Sequence, residues 1–384
     1  MTGPATIPPI DATEARGSRE ASRASGAAEA AETAAVARDG AGPTGVMVAV
    51  HTRAGVHRWR GAADALPFDR SPGSPWLLVP PAVRAGFDAV CEAGTALADT
   101  PFGAPTLGVK CGCNAAFIVR RRDPESEEST VWITTARGCA PPRSGRIERA
   151  MLRPLVRGET VALGAAARAD GGGGGAGPVA DTGTAGLAAG GEWIIWTARE
   201  VDGTQEPIDE LPPHAARWFA PWRHRLAARA DTRGRAPWWA LFRTEGASSA
   251  TPRLVWADLA RRPRAIVLAA GDPTVPLNSC YVLRTSDLRD AEGLRGLLTS
   301  PLAAAWLAVI AEPARGLHRR YLGWTVGLLP VPHDWERARA LLAQVAQART
   351  AGAPLGPVRE AAIAARAYRL PLARVRALLA WTTC

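Results

Sequence analysis

The sequence predicts an α+β fold: a mixed-sheet domain with a helical C-terminal tail and a disordered N-terminus. Three observations lead there. Alternating apolar segments recur between residues 45 and 284, the signature of half-buried strands. Helical-period segments are scattered among them without a regular strand–helix–strand rhythm, which argues against a doubly wound parallel sheet. From Trp335 onward only the helical period remains. Hydrophobic side chains make up 47% of the 384 residues, enough for a substantial core.

Residues 1–44 are mostly Ala, Gly, Ser, Glu and Arg. They bury too little apolar surface to offset their ordering entropy, so disorder is expected. Val46, Val48 and Val50 alternate with smaller residues, and His57-Arg58-Trp59 follows a turn at Arg53-Ala54-Gly55, predicting a hairpin. Val83, Phe87, Val90 and Cys91 share one helical face, predicting a helix from Pro81 to Ala98. Strands are expected at Leu107 to Val109, Ala116 to Val119 and Val131 to Ile133, with Arg120 to Glu128 as a polar turn. Residues 165–191, with consecutive glycines at 171–175, read as a flexible surface insertion. No hydrophobic strand precedes these glycines and no convincing helix follows, so they do not read as a loop cradling phosphate or a cofactor. Beyond them come a strand at Trp193 to Trp196, a basic helical segment from Pro212 to Arg235, and strands at Arg253 to Trp256, Ala265 to Ala269 and Ser279 to Arg284. Helices are expected at Asp290 to Leu298, Pro301 to Ile310, Trp335 to Arg349 and Val358 to Trp381.

The formal charge of +10 points to a polyanionic partner. Lys110 is the only lysine; every other basic residue among the 46 is arginine. Abundant Ala, Gly and Pro mark a GC-rich genome, so part of the arginine reflects base composition. Arginine nevertheless grips phosphate and guanine edges bidentately. The densest region holds Arg217, Arg223, Arg225, Arg229, Arg233, Arg235, Arg243, Arg253, Arg261, Arg262 and Arg264 against Asp231, Glu245 and Asp258. A phosphate-binding surface and an ordinary solvated face are both open readings of it. Trp218, Trp222, Trp238 and Trp239 read as core rather than base-stacking residues. The six cysteines form no paired CxxC units, so buried reduced thiols are expected and no metal site. The six histidines fit no hydrolase constellation, and no catalytic residue is assigned. No apolar run approaches the roughly 20 residues of a membrane span, and residues 1–45 lack a signal-peptide core, so a cytoplasmic protein without a membrane partner is expected.

Four ordered segments resemble the specificity region of TaqI-like adenine-specific DNA methyltransferases. Leu107-Gly108-Val109-Lys110-Cys111-Gly112-Cys113-Asn114-Ala115-Ala116-Phe117-Ile118-Val119 is similar to the family's G-V-K-T-G-x-N-x-A-F entry strand and turn. Leu152-Arg153-Pro154-Leu155-Val156-Arg157-Gly158-Glu159 looks like its L-x-P-x-x-R-G-x-D turn. Leu226 and Arg229 through Trp238-Trp239-Ala240-Leu241 resemble its L-x-x-R…W-x-x-L segment. Pro276-Leu277-Asn278-Ser279-Cys280-Tyr281-Val282, then Leu297-Leu298-Thr299-Ser300-Pro301-Leu302 and Leu329-Pro330-Val331-Pro332, resemble the L-N-S-x-Y-x-I…L-L-x-S-x-L…L-P-x-P pattern.

The resemblance implies a DNA target-recognition domain over 105–335 and a remnant of the end of a catalytic domain over 45–104; the helical pattern beyond it marks a helical tail over 336–384. It implies double-stranded DNA as partner, in restriction–modification or phage defence. The DNA-binding residues it suggests, together with the basic region, are Lys110, Asn114, Arg153, Arg157, Arg225, Arg229, Arg235, Arg243, Arg264 and Asn278. Asn114 could equally cap its own turn. For Arg153 and Arg157, phosphate contact and an ion pair with Glu148 or Glu159 are both open. His318 either lines DNA or caps the preceding helix. The family's catalytic loop, Asn/Asp-Pro-Pro-Tyr/Phe, has no counterpart at the Pro-Pro pairs 8–9, 80–81, 141–142 or 212–213. No methyl transfer is therefore expected of this chain alone. S-adenosylmethionine would belong to a separate methyltransferase catalytic subunit. The alternatives are a non-functional gene remnant and a protein-interaction module acting through the C-terminal helices.

Overall fold

The computed structural model describes residues 37–38, 45–52, 55–69, 74–123, 126–136, 138–139, 142–163, 191–202, 204–232, 237–351, 353 and 355–381. It divides into two compact units, Met1–Ala85 with Thr383–Cys384, and Gly86–Thr382. In the first, β1 (Ala37–Arg38), β2 (Gly45–Thr52) and β3 (Gly55–Ala62) form an antiparallel sheet. This is the predicted hairpin, with Val48 opposite Trp59. Val46, Val48 and Leu66 are buried together, because every second residue of β2 faces one side. β1 lies within the stretch expected to be disordered and pairs its backbone with Val46 and Met47. The rest of that stretch lies outside the described residues.

The helix predicted to reach Ala98 is α1 (Pro81–Glu92) and stops earlier. Residues Gly94–Ala96, β4, are drawn into antiparallel pairing with Pro330–Pro332. The approach is so close that a Cβ on Gly94 would lie 2.5 Å from the Val331 carbonyl oxygen.

In the second unit the chain continues through β5 (Thr106–Leu107), α2 (Asn114–Phe117), β6 (Ile118–Arg121), β7 (Thr130–Thr135), β8 (Ser144–Glu148), β9 (Leu152–Val156), α3 (Gly158–Leu163) and β10 (Glu192–Ile195). After a small hairpin of β11 (Ala198–Val201) and β12 (Thr204–Pro207) come α4 (Pro213–Phe219) and α5 (Arg223–Ala227). Strands β13 (Arg253–Ala257), β14 (Leu259–Ala260), β15 (Ala265–Leu268), β16 (Val275–Pro276) and β17 (Cys280–Arg284) precede α6 (Leu288–Thr299) and α7 (Pro301–Ile310). β18 (Glu312–Pro313), β19 (Arg319–Arg320), α8 (Gly323–Gly327) and β20 (Pro330–Pro332) lead to α9 (Trp335–Thr350), α10 (Pro357–Ala367) and α11 (Leu372–Trp381).

Two sheets carry the domain. One runs β16-β9-β10-β6-β7-β8 and the other β15-β13-β17-β5. Only the β16–β9 pair within them is parallel, so the sheet is mixed, as predicted. The six-stranded sheet buries Ile118, Ile133, Ile147 and Ile194 against Trp218 and Phe219 of α4. The Trp218 indole donates to the Ala116 carbonyl at 2.8 Å. Trp218 and Trp222 are core, as expected, while Trp238 and Trp239 are half-buried.

Three further predicted elements differ. The strand expected from Ala116 begins only at Ile118, after the helical turn α2, and the polar turn starts after Arg121. The basic helix is split into α4 and α5 because Pro221 lacks an N–H and imposes a tight turn over Ala220–Trp222. The last helix divides at Pro371 for the same reason. All of the 165–191 insertion except Gly191 lies outside the described residues.

The helical tail packs against its own domain. α9 lies on α6 at Gly296, where a Cβ would come within 2.0 Å of the Leu342 carbonyl oxygen. Leu342, Val345, Val375 and Leu378 are buried. Arg349 joins α9 to α10 through Glu360 and to α6 through the Thr299 carbonyl at 2.7 Å. The tail helices thus bury these apolar side chains against their own domain. Among the described residues no single helix is long and apolar enough to cross a membrane.

Candidate functional site

The four segments singled out in the sequence meet at one place, where β5 and β17 pass β9 and β16. Val109 donates to the Pro276 carbonyl at 2.8 Å and accepts from the Asn278 N–H at 3.0 Å. Gly108 donates to Cys280 at 2.9 Å, and Leu277 to Val156 at 2.9 Å. The Ser279 hydroxyl accepts from the Gly158 N–H at 2.9 Å. Lys110 exchanges both backbone hydrogen bonds with Phe242, at 2.8 and 2.9 Å, which brings in the third segment.

Arg229 fastens that segment down. Its Nη1 donates to Cys111 O at 2.6 Å, Nη2 to Trp238 O at 2.7 Å and Ala240 O at 3.0 Å, and Nε to Leu226 O at 3.0 Å. The guanidinium lies over Phe242 at 4.9 Å. Gly112, with a φ of 68°, lies against the Arg229 side chain, where a Cβ would be 2.7 Å from its Cδ. Burial lowers the Arg229 pKa, but the group keeps its charge at neutral pH. Arg229 is therefore a structural clamp: four carbonyl bonds engage nearly all of its donors.

This scaffold leaves Lys110, Asn114 and Asn278 exposed around the crossing. Asn114 does not cap its own turn: its Oδ1 accepts from the Cys111 thiol at 3.2 Å. Lys110 Nζ pairs with Asp231 at 3.2 Å, both side chains 46% exposed. Such a surface pair is worth about 0–1 kcal/mol and exchanges readily for another anion. Arg225, on α5 just before the clamp, is exposed, and Arg243 follows Phe242 directly.

The other predicted residues stand elsewhere. Arg153 lies 4.3 Å over the Trp196 ring, and burial, its chief cause, lowers its pKa. Arg157 pairs with Glu192 at 2.7 Å, neither Glu148 nor Glu159. Glu148 instead accepts the N–H groups of His214 and Ala215, at 2.8 and 3.0 Å, where α4 begins. Arg264 is exposed just before β15; partial burial and then the neighbouring Arg349 and Arg262 depress its pKa. Arg235 lies outside the described residues. His318 sits 3.1 Å from Gly316 O, closing the tight turn just before it. Arg253, counted in the basic region, is fully buried. Sequence reasoning overlooked Ser279, although the quoted Asn278-Ser279 pair contains it, and Asp231, one of only three acids in that region.

Cys111, Cys113 and Cys280 are buried free thiols, as expected. Burial pushes Cys111 up to about 11 and Cys280 higher still, so neither forms a thiolate at neutral pH. Among the described residues no cluster of His, Cys, Asp or Glu could hold a metal.

Fold and site define an α+β domain with a helical tail and a polar, cationic turn cluster at the crossing of its two sheets. No family model and no curated protein matches the chain. Among solved structures it is similar to the Type IIL restriction-modification enzyme MmeI in complex with DNA, at 13% identity and a TM-score of 0.37. The match covers 74% of this chain and 33% of that one, so the chain spans about a third of that enzyme's length.

Proposed function

We propose that this domain recognises double-stranded DNA as the specificity part of a site-specific adenine methyltransferase in restriction–modification or phage defence. A separate catalytic subunit would supply S-adenosylmethionine and the methyl-transfer site. One observation carries the reading. The four segments converge on a single crossing, and that crossing presents Lys110, Asn114 and Asn278 to solvent. A cation for phosphate and two amides for base edges is the combination that positions and reads DNA. The net charge of +10 supplies the general attraction.

The test is binding of the full chain to random-sequence and target-containing duplexes across a salt series. Random duplex is expected to bind at about 1 μM or tighter at low salt, with affinity falling steeply as salt rises. Lys110→Ala is expected to flatten the log–log salt slope by about 1 without changing sequence preference. Asn278→Ala is expected to weaken discrimination between target and random duplex by about tenfold, leaving the slope intact. Salt-independent or absent binding refutes the reading.

A further inference from the structure

A cavity of about 500 Å³ opens beside β5, walled by Leu107, Arg243, Glu245, Tyr281, Gly323 and Trp324. Small-ligand sites span roughly 300–1,000 Å³, so the size is suited to one compact ligand. Part of its wall is rigid. The Tyr281 ring stacks on Trp256 at 5.9 Å and 20°. Trp256 is fully buried and donates its indole N–H to Tyr321 O at 2.9 Å. Tyr281 also lies against Gly323, where a Cβ would come within 2.8 Å of its Cε1.

Trp324, by contrast, is 57% exposed. Arg243 holds a left-handed backbone with a φ of 53°. That conformation is unusual for a side-chain-bearing residue, and such outliers cluster at binding sites. The Lys110–Phe242 pairing on one side and the tight turn Thr244–Ala247 on the other impose it. Among the described residues neither the Arg243 guanidinium nor the Glu245 carboxylate has a hydrogen-bond or ion-pair partner within the protein. An open aromatic face, an unpaired cation and an unpaired acceptor thus frame one cavity.

We infer that this cavity takes a single unstacked, amino-bearing nucleobase together with its phosphate. The base stacks on Trp324, its amino group donates to Glu245, and its phosphate meets Arg243. The inference deepens the DNA-binding reading and rests on it only for where the base comes from.

The experiment is titration of the full chain with dCMP and TMP at millimolar concentration, followed by ligand-observed NMR. dCMP is expected to bind several-fold tighter than TMP, because Glu245 can accept from its amino group. Trp324→Ala and Arg243→Gly are each expected to weaken dCMP binding tenfold or more. Trp324 is exposed, and glycine tolerates the backbone at 243, so both variants should fold; matching circular dichroism and melting curves check this. No dCMP binding, or binding unaffected by Trp324→Ala, overturns the inference. Paired-duplex binding measured alongside judges the DNA reading separately. Duplex binding without nucleotide binding removes the cavity alone; nucleotide binding without duplex binding removes the DNA reading alone.

Discussion

Arg253→Met is expected to lower the stability of the protein by about 3–5 kcal/mol, read by urea unfolding at 25 °C. Arg253 is the one arginine among the largest fully buried side chains. Nη1 donates to Thr274 O at 3.0 Å and Gly246 O at 3.3 Å, and Nη2 to Asp272 O at 2.6 Å. Burial pulls its pKa down to about 10, and Asp272 partly opposes that shift. The group therefore remains charged at neutral pH. Methionine fills much of the volume but strands three buried carbonyls and the Asp272 charge. Each orphaned polar group costs about 1–3 kcal/mol. Lysine should recover only part of the loss, because an ammonium cannot hold the planar fork of bonds. A change below 1 kcal/mol for Arg253→Met would mean that the loop 271–275 relaxes to water and that the guanidinium does not organise it.

That residue also shows where the sequence stops being readable. β13 is buried along all five residues, so it carries no alternation to mark Arg253 as inward-facing. Charge composition alone placed it on a basic surface. Arg229 misled in a related way. Its carbonyl partners come from residues 111, 226, 238 and 240, and the contact with Cys111 spans too much chain for local spacing to reveal. What was legible rested on short-range physics. The hairpin at β2–β3, the strands β7 and β17 and the helices α6, α7 and α9 all follow their apolar periods. Asp287 and Ser300 cap α6 and α7 by accepting from the Asp290 and Ala303 N–H groups. Overextended helices were cut wherever a proline or a long-range strand pair intervened, at Gly94, Pro221 and Pro371. The site was half legible. The ordered segments named Lys110, Asn114 and Asn278, whereas Trp324 lies in a short apolar stretch that nothing in its spacing distinguishes.

The strongest link between the sequence segments and the site is expected to be steric. Gly108→Ala and Gly158→Ala should each cost about 2–4 kcal/mol and abolish duplex binding, although neither residue offers a functional group. A Cβ on Gly108 would lie 2.3 Å from Leu277 O, and one on Gly158 would lie 2.4 Å from Ser279 O. In both cases the obstacle is backbone, so no side-chain rotation relieves it. The Pro276–Ser279 turn must back away, breaking the Val109–Asn278 and Gly158–Ser279 hydrogen bonds that aim Asn278. A control separates this from general fragility. Gly271→Ala, at an open turn with a φ of 82°, meets no atom within 4 Å and should lose only about 1–2 kcal/mol of stability, from the backbone strain that a Cβ brings at positive φ, with duplex binding unchanged. Binding lost at 108 and 158 while circular dichroism stays native would show that the crossing's geometry, beyond its charge, holds DNA. Binding retained in both variants would mean that Asn278 and Lys110 act independently of their scaffold.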